Sequence, residues 1–286
     1  MVLKLEAHVR FEPEVHIDVY KTTDGHLIET AVFSGEGYNK NIVSITSQIG
    51  CPVGCSFCYM GGYDFKRNVS PKEYLQQVKS VTGLDQQKPM KVCFTRAGEP
   101  LLNPNTIEGI VLIAETFSPS FQLTSIMPAT KNSRKLLNYL MGYLKGNKNS
   151  FQINVSMHTS DEEQRKKIIP FKDLMGFKEI AEFGEEWKRM VGNRKINLSF
   201  VLMEGCEIDL QKFKEVFNPE YFSIRFALYL PSSEETAARH PPSSKTRMEE
   251  QVRIAKELGY ECIQSVPGPA ELKWDTRPGC MFKLRR

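Results

Sequence analysis

The sequence lacks any long apolar run. None of its apolar stretches approaches the length of about eighteen residues that indicates a membrane-spanning helix. The N-terminal residues, MVLKLEAHVRFEPE, also lack the basic and apolar regions of a signal peptide. These absences predict a cytoplasmic protein with no membrane partner.

A strong charge of one sign is also missing. The chain has 38 Lys and Arg residues against 34 Asp and Glu residues, which gives a formal net charge of +4. Because the two signs are interspersed, this balance permits contact with nucleic acid without indicating it. The RKK run at 165–167 and the KLRR segment at the C-terminus are predicted to be solvated surface.

Cysteine is scarce outside one loop, and no internal repeat or interdomain linker interrupts the chain. Three of the seven cysteines are clustered, which fits metal binding in a reducing compartment better than a disulfide framework. With 286 residues, of which 41% are hydrophobic, the chain is long enough for one α/β barrel-type domain with a large core.

What the chain does contain is an alternation of strand and helix patterns. Residues 7–33 alternate apolar and polar side chains around an Asp-Gly pair, which predicts a β-hairpin. From residues 41–47 onward, six strand–helix alternations predict parallel strands joined by helices. The expected fold is α/β, a partial (βα)6 TIM-like barrel. Residues 1–40 are expected to form an N-terminal β-hairpin extension, and residues 41–286 the core with its C-terminal segment.

The start of the first core helix is marked by Ser70 and Pro71. Serine is a favoured N-cap, proline is favoured at the first helical position, and Glu73 lies in the first turn. A helix is therefore expected to begin there. The segment 231–244, rich in Pro and Ser, is predicted to be a polar loop.

Three cysteines share one short loop, Cys51, Cys55 and Cys58, at C-x3-C-x2-C spacing. Thiolates are soft ligands that suit iron–sulfur clusters or zinc. Three of them are one fewer than a closed structural zinc site needs, whereas a four-iron four-sulfur cluster held by three cysteines keeps one iron open for another ligand. The alternatives are a zinc site with a borrowed fourth ligand, or reduced cysteines without metal.

Two further segments, one with Gly98 and Glu99 and one with His158, are predicted to lie at strand ends near this loop. Gly98 and Glu99 follow the second core strand, and His158 follows the fourth. Because the C-terminal ends of parallel strands meet at one face, these residues should converge with the cysteine loop. A glycine that exposes backbone groups beside an acid suits recognition of a charged amine, and a plain strand-to-helix turn is the alternative.

The loop C-x3-C-x-aromatic-C, with Phe57 as the aromatic residue, resembles the signature of the radical S-adenosylmethionine (SAM) enzymes. The resemblance implies a 4Fe-4S cluster whose open iron chelates SAM. An electron from a flavodoxin- or ferredoxin-type donor then cleaves SAM to a 5′-deoxyadenosyl radical. It also implies that Phe57 lies against the SAM adenine. Gly98 and Glu99 resemble a GGEP motif that binds the SAM amino group, with Ala97 in place of the first glycine.

Four longer segments narrow the resemblance: TSQIGC (46–51), AGEPLLN (97–103), INVSMHTSDEEQRKKIIP (153–170) and DTRPGC (275–280). They are similar, in the same order, to motifs of the large-subunit ribosomal RNA adenine methyl synthases, including the antibiotic-resistance branch. The strand-like segment DGHLIETAVF also resembles the residues before that family's cysteine loop.

This narrower resemblance implies roles for four further residues. Ser156 and His158 match positions that line the SAM pocket. Glu29 matches the glutamate of the family's Glu-Thr pair. Cys280 matches a cysteine that accepts a methyl group from one SAM. In the family scheme, a radical from a second SAM abstracts hydrogen from that S-methyl group, and the resulting methylene radical adds to an adenine carbon. On position alone, Cys280 could equally be a buried small hydrophobe.

Two positions depart from the family pattern. Ser44 stands where the family has a second cysteine, which releases the covalent protein–RNA adduct through a disulfide. A serine hydroxyl cannot do this, because it is far less acidic and does not form disulfides. Leu230 falls where the family has an asparagine that contacts SAM. Cys206 follows a Glu-Gly pair and is predicted to be a free thiol.

The sequence thus predicts a monomeric radical SAM enzyme, a methyl synthase that acts on an unactivated carbon, by resemblance that of an RNA adenine or another nucleobase. One alternative is an enzyme of the same lineage that acts on a small metabolite without methylation. The other is a non-catalytic, metal-bearing RNA-binding module.

Overall fold

The first three strands form an antiparallel meander at one edge of the main sheet. β1 (Leu3–Glu12) pairs with β2 (Val15–Thr22), which pairs with β3 (Leu27–Phe33). The hairpin of β2 and β3 confirms the predicted one, and β1 adds a third strand to it. The computed structural model describes residues 2–12, 15–145, 150–192, 194–231 and 233–267.

The remaining strands are β4 (Asn41–Ile45), β5 (Gln48–Ile49), β6 (Arg67–Asn68), β7 (Met90–Phe94), β8 (Ser120–Ser125), β9 (Phe151–Ser156), β10 (Ile196–Leu202), β11 (Phe222–Leu228) and β12 (Cys262–Ser265). The sheet continues with seven parallel strands in the described part of the chain, in the order β4-β7-β8-β9-β10-β11-β12. A separate antiparallel pair, β5 and β6, flanks the cysteine loop. Since β3 pairs with β4, the N-terminal strands extend the same sheet, and the division at residue 40 stays a prediction.

Helices connect the parallel strands, as predicted for a partial (βα)6 barrel. They are α1 (Pro71–Lys79), α2 (Thr106–Phe117), α3 (Lys131–Leu144), α4 (Glu162–Ile168), α5 (Phe177–Met190), α6 (Leu210–Lys214), α7 (Glu234–Arg239) and α8 (Lys245–Glu257). The segment 231–244 is not wholly a loop, because α7 lies within it and is capped by the Ser233 hydroxyl, which accepts from the Thr236 amide. No helix within the described ranges has the length and apolar character that crossing a lipid bilayer requires.

The start of α1 is fixed by a capping box, as its sequence predicts. The Ser70 hydroxyl accepts from the Glu73 amide at 3.3 Å, and the Glu73 carboxylate accepts from the Ser70 amide at 2.8 Å. These two bonds satisfy backbone donors that the first helical turn leaves open. Arg67 in β6 also donates to Glu73, so the cap ties α1 to the end of the cysteine loop.

The two faces of the parallel sheet differ in chemistry. On β7, Val92 and Phe94 are buried in the apolar core with side chains of α1 and α2. Lys91 and Cys93, together with Thr95 directly after the strand, line a cavity on the opposite face. Because successive side chains of a strand point to opposite faces, the core lies under the helices and a polar interior lies inside the curved sheet. Cys93 is buried and faces this interior.

Helix α5 packs against the outer face at very short range. A Cβ atom added to Gly184 would lie 2.0 Å from the Phe222 ring carbon Cζ. Trp187, one turn further along α5, is 1% exposed and packs against the Phe151 ring, with the ring centroids 6.3 Å apart. The helix therefore approaches the sheet closely at Gly184 and fills the space beside it with an indole.

Candidate functional site

The cysteine loop begins where β4 ends, at the C-terminal edge of the parallel strands. It is closed by a bond from the Cys51 amide to the Tyr63 carbonyl at 3.3 Å, and by one from the Cys58 amide to the Cys55 carbonyl at 3.1 Å. Gly50 has a φ of +73°, and a Cβ atom there would lie 2.0 Å from the Asp64 carbonyl oxygen. Only glycine fits this close approach of two chain segments.

The three thiols Cys51, Cys55 and Cys58 are unbonded to other cysteines and line one cavity. Burial raises the pKa of the Cys51 thiol to about 12 and raises the pKa values of Cys55 and Cys58 above their usual range. Without metal these thiols therefore stay protonated, and a bound metal would have to displace their protons.

The spacing of the sulfur atoms distinguishes the metals that the sequence leaves open. In the part of the chain that the structure describes, the three Sγ atoms do not all lie within 4.8 Å of one another. Since a zinc–sulfur bond is about 2.3 Å long, thiolates on one zinc ion lie at most about 4.6 Å apart. The three thiols therefore fit a cluster, in which each thiolate binds its own iron, better than a single zinc ion.

The Gly98–Glu99 turn is docked directly onto the start of the cysteine loop. Gly98 has a φ of +89°, and a Cβ atom there would lie 2.6 Å from the Gln48 backbone nitrogen. The Glu99 amide donates to the Gln48 side-chain oxygen at 2.8 Å. This turn and the cysteine loop therefore form one structural unit, and any side chain at position 98 would separate them.

The Glu99 carboxyl is buried but lines the cavity. It accepts from the Ser125 hydroxyl at 2.6 Å, the Ile126 amide at 2.9 Å and the Leu101 amide at 3.0 Å. Burial raises the pKa of Glu99 to about 7, against the opposing effect of these three bonds. A cationic amine in the cavity would stabilise the ionised form.

His158 and Phe57 meet on the other side of the cavity. Their ring centroids are 4.6 Å apart in an edge-on arrangement, and the Tyr229 hydroxyl donates to the Phe57 carbonyl at 2.9 Å. The Val201 amide donates to His158 Nδ1 at 3.2 Å, which places the ring proton on Nε2. Burial lowers the pKa of His158 to about 3, so the ring is neutral at physiological pH. Ser156, at the end of β9, lines the same cavity.

Arg165 is a positioning residue that the sequence does not reveal. Its side chain is fully buried, and its guanidinium donates to the carbonyls of Ser156 at 3.0 Å, Met175 at 2.9 Å and Ile126 at 2.7 Å. It therefore joins the ends of β8 and β9 to the start of α5. The prediction that the run 165–167 is solvated surface is wrong for Arg165. The signal in the sequence was that Arg165 lies within the 153–170 segment that carries the family resemblance; its charge alone indicates a surface position.

Glu29 does not reach the cavity surface in the described structure. It is fully buried on β3, where its carboxylate accepts from Arg96 Nη2 at 2.5 Å. Arg96 itself lines the cavity. The structure thus places Glu29 behind Arg96, where it can orient the guanidinium, rather than where it would touch a substrate.

The remaining predicted positions have separate locations. Ser44 lines the cavity and shares a hydrogen bond of 2.6 Å with the Thr95 hydroxyl, and Leu230 lines it as well. Cys206 is buried in an apolar cluster that also contacts the cysteine loop. Cys280 lies outside the described residues.

All of these lining residues share one cavity of about 630 Å³. That volume is within the range of small-molecule and cofactor sites, about 300–1,000 Å³. The structure therefore brings together the predicted cluster ligands and the SAM-pocket residues: Cys51, Cys55, Cys58, Phe57, Gly98, Glu99, Ser156 and His158.

Solved structures with a similar fold include a radical SAM methyltransferase from Sphaerobacter thermophilus. It has a TM-score of 0.77 at 18% identity and covers 95% of this chain and 79% of that one. Streptococcus suis SuiB bound to S-adenosylmethionine has a TM-score of 0.50 at 13% identity, and covers 82% of this chain and 48% of that one. At these identities the likeness concerns the fold alone.

Curated relatives with similar sequences carry the name "Probable dual-specificity RNA methyltransferase RlmN". The one from Pseudothermotoga lettingae is 27% identical over 70% of this chain and 57% of its own length. The one from Endomicrobium trichonymphae is 31% identical over 59% of this chain and 47% of its own length. The chain thus spans about half the length of the curated relatives it matches.

The family model described as "Radical SAM superfamily" matches residues 45–189, more than half of the 286-residue chain. This match contains the three cysteines and every predicted SAM-binding residue that lines the cavity. The chain therefore belongs to the radical SAM superfamily, whose members bind a 4Fe-4S cluster and SAM.

Proposed function

We propose that this protein is a radical SAM methyl synthase that methylates an unactivated carbon of a nucleobase. The observation that carries the proposal is the cavity shared by the three thiols and the Gly98–Glu99 turn. The name of the curated relatives, RNA methyltransferase, supports a base carried by RNA.

The chain's own residues have distinct tasks in this proposal. Cys51, Cys55 and Cys58 would hold the cluster, which together with SAM supplies a 5′-deoxyadenosyl radical when both are bound. Glu99, in its ionised form, would accept a hydrogen bond from the SAM amino group while Ser125 and two backbone amides hold it in place. Neutral His158 and Phe57 would provide an apolar wall for the adenine ring.

Cys280 is the proposed methyl carrier, a role that rests on the sequence resemblance. A peptide containing Cys280 should carry the added mass of one methyl group after the protein is incubated with SAM. The Cys280→Ala variant should still release 5′-deoxyadenosine but should not alkylate a substrate. A flavodoxin- or ferredoxin-type protein is the proposed electron donor.

The deciding experiment is anaerobic incubation of the reconstituted protein with SAM and a chemical reductant. The expected product is 5′-deoxyadenosine, with none from the Cys51→Ala, Cys55→Ala, Cys58→Ala triple variant. Adding a transcript of large-subunit ribosomal RNA should then yield an adenine covalently joined to Cys280 in the wild type, and methyl-adenine with Ser44→Cys. Formation of 5′-deoxyadenosine without any adduct or methylated base would contradict methyl transfer to RNA while leaving radical chemistry intact.

A second candidate is radical chemistry on a small metabolite without methylation. The observation that favours it is Ser44, which lines the cavity at the position of the family's resolving cysteine. Without a thiol there, the covalent route to methylated RNA lacks its releasing step. An unmodified Cys280, together with full product formation by the Cys280→Ala variant, would favour this candidate.

A further inference from the structure

Two histidines and an aspartate form a cluster on the N-terminal strands, away from the cavity. His8 belongs to β1, and His16 and Asp18 belong to β2, where Asp18 is directly opposite His8. On β3, Asp18 is level with Thr30, whose hydroxyl donates to the Gln77 side chain of α1 at 3.3 Å. Because residues opposite each other on paired strands share a face, the cluster lies on the helix side of the sheet. The cavity lies on the other side.

The three side chains of this cluster converge on a small volume. His8 Nδ1 lies 2.5 Å from one Asp18 carboxylate oxygen, and His16 Nε2 lies 3.8 Å from the other. A ring nitrogen of each histidine and a carboxylate oxygen all lie within 4.8 Å of one another. Ligand atoms on one tetrahedral zinc ion, with bonds of about 2.0–2.2 Å, lie about 3.3–3.6 Å apart. The observed spacing therefore differs from that of a zinc site by only about 1 Å.

His16 has a buried ring nitrogen that lacks a partner. Its side chain is only 9% exposed, and its Nε2 atom has no hydrogen-bond partner in the described structure. Such buried polar atoms are uncommon and costly. Burial lowers the pKa of His16, and the charges of His8 and Arg10 lower it further, against the opposing effect of Asp18. The ring is therefore neutral, and neutral imidazole is the form that binds a metal ion.

Two neighbours hold the buried members of the cluster in place. The Tyr20 hydroxyl donates at 3.2 Å to the Asp18 oxygen that is nearer to His16. Gly83, in the segment after α1, covers the His16 ring, since a Cβ atom there would lie 3.7 Å from the ring carbon Cε1. A hydrogen bond to a ligating carboxylate fixes its orientation. His8, by contrast, is 40% exposed, so its ring is free to move onto a bound ion from the solvent side.

We propose that His8, His16 and Asp18 bind a zinc ion that fastens the edge strand β1 to β2. Two imidazoles and a carboxylate, with water in the fourth position, are a known ligand set of zinc. Magnesium and calcium prefer sites made of oxygen atoms alone, and ferrous iron binds a given set of nitrogen and oxygen ligands more weakly than zinc does. The site is remote from the cavity, so its existence does not depend on the proposed methyl transfer.

The test is zinc binding to the anaerobically reconstituted full chain, prepared free of zinc and then dialysed against it. The wild type should bind about one zinc ion per chain in addition to its iron. X-ray absorption at the zinc edge should show nitrogen and oxygen neighbours at about 2.0–2.2 Å, without the sulfur neighbours near 2.3 Å that cysteine ligands give. No saturable zinc binding, or zinc with sulfur neighbours only, would overturn the proposal.

Single substitutions locate the ion. His8→Ala and Asp18→Asn should each bind zinc at least about tenfold more weakly, since the loss of a residue that merely supports a ligand already costs that much. The matched control is His26→Ala: His26 is also 40% exposed and lies 4.0 Å from Asp24, but among the described residues it belongs to no group of three such ligands. It should match the wild type.

Equal zinc affinity in wild type, His8→Ala and Asp18→Asn would overturn the proposal, and so would an equal loss in His26→Ala. Far-ultraviolet circular dichroism checks that the variants are folded. Zinc should raise the unfolding temperature of the wild type and leave that of His8→Ala unchanged, because an ion that binds only the folded state stabilises it. An unfolding temperature of the wild type that does not respond to zinc would contradict the fastening of β1.

A last comparison separates this site from the cysteine loop. The variant in which Cys51, Cys55 and Cys58 are all alanine should bind zinc as tightly as the wild type. Loss of zinc binding in that variant would assign the ion to the thiols and overturn the proposal. Displacement of zinc by an equal concentration of ferrous iron or magnesium would overturn the choice of metal.

Discussion

Glu99 is a carboxyl group whose protonation is governed by its burial in the wall of the cavity. Its pKa is raised to about 7 chiefly by burial, although three hydrogen-bond donors favour the ionised form. An unfolded glutamate has a pKa near 4.3. Between these two values the folded protein holds a proton that the unfolded chain has released, so rising pH destabilises the fold without SAM.

The prediction concerns the metal-free protein without SAM, wild type against Glu99→Gln. As pH rises from about 4.5 to 7, the free energy of unfolding of the wild type should fall relative to that of the variant, by on the order of 2 kcal/mol. Denaturant titrations at several pH values measure the difference. The control Glu115→Gln, exposed on α2, should track the wild type. A pH-independent difference between wild type and Glu99→Gln would contradict the raised pKa.

Ser44 allows a prediction about turnover. In the scheme that the sequence resembles, a second thiol releases the adduct between Cys280 and the base by forming a disulfide. The wild type should therefore not turn over on ribosomal RNA: it should stall as a covalent adduct or leave the RNA unmodified, because serine forms no disulfide. Ser44→Cys should complete several turnovers, since this position lines the cavity.

Methyl-adenine counted per protein chain is the measurement, with Ser44→Ala as the control for loss of the bond to Thr95. Multiple turnovers by the wild type would show that the adduct is released without a thiol at position 44. Equal yields from Ser44→Ala and Ser44→Cys would show that the hydroxyl, not the missing thiol, limits the reaction.

Residues whose role is local could be predicted from the sequence, and residues whose role depends on distant partners could not. Ser70 caps α1 through a residue three positions away, so its motif is visible in the chain. The buried Arg165 needs the Ile126 carbonyl, 39 positions away, and Glu29 needs Arg96, 67 positions away. Charge and position alone do not distinguish such residues from solvated ones.

At the scale of the elements, the contact between α5 and the sheet depends on Gly184. Gly184→Ala should lower the free energy of unfolding by about 1–3 kcal/mol, because the new Cβ would overlap the Phe222 ring. Thermal or denaturant unfolding measures the loss. Gly142→Ala is the matched control: Gly142 also lies within a helix, α3, and an added Cβ there meets nothing within 4 Å.

The control should stabilise the protein by about 0.5–1 kcal/mol, since alanine is the better helix former. A Gly184→Ala variant as stable as Gly142→Ala would show that α5 can shift away from the sheet at little cost. The sequence predicts the existence of α5 from its periodicity. It does not predict this contact, because Phe222 lies in a strand that is distant from α5 in the sequence.

The whole molecule should gain stability from its cluster. The cysteine loop is tied to the Gly98 turn, to β6 and, through Ser56, to the end of α4 at Ile168. Binding of a metal to this loop is coupled to its order and should raise the unfolding temperature. Reconstituted wild type should hold about four irons per chain, and chelation of the iron should lower its unfolding temperature.

Replacing Cys51, Cys55 and Cys58 together with alanine should abolish iron uptake and the brown thiolate-to-iron absorbance. Its unfolding temperature should not respond to the chelator. Stoichiometric zinc at the three thiols, with no iron uptake by the wild type, would contradict the cluster assignment. It would also contradict the conclusion that the three sulfur atoms are too far apart for a single zinc ion.

Residues 91–95, along β7 and directly after it, alternate between side chains that maintain the fold and side chains that can determine the substrate. Val92 and Phe94 face the helices, whereas Lys91, Cys93 and Thr95 face the cavity. In a library that samples every amino acid along this strand, the yield of folded protein should fall at 92 and 94. Losses at 91, 93 and 95 should instead appear as altered substrate preference at nearly constant yield. A lineage with this architecture can therefore explore new substrates by changing every second residue, while its fold is maintained by the residues in between.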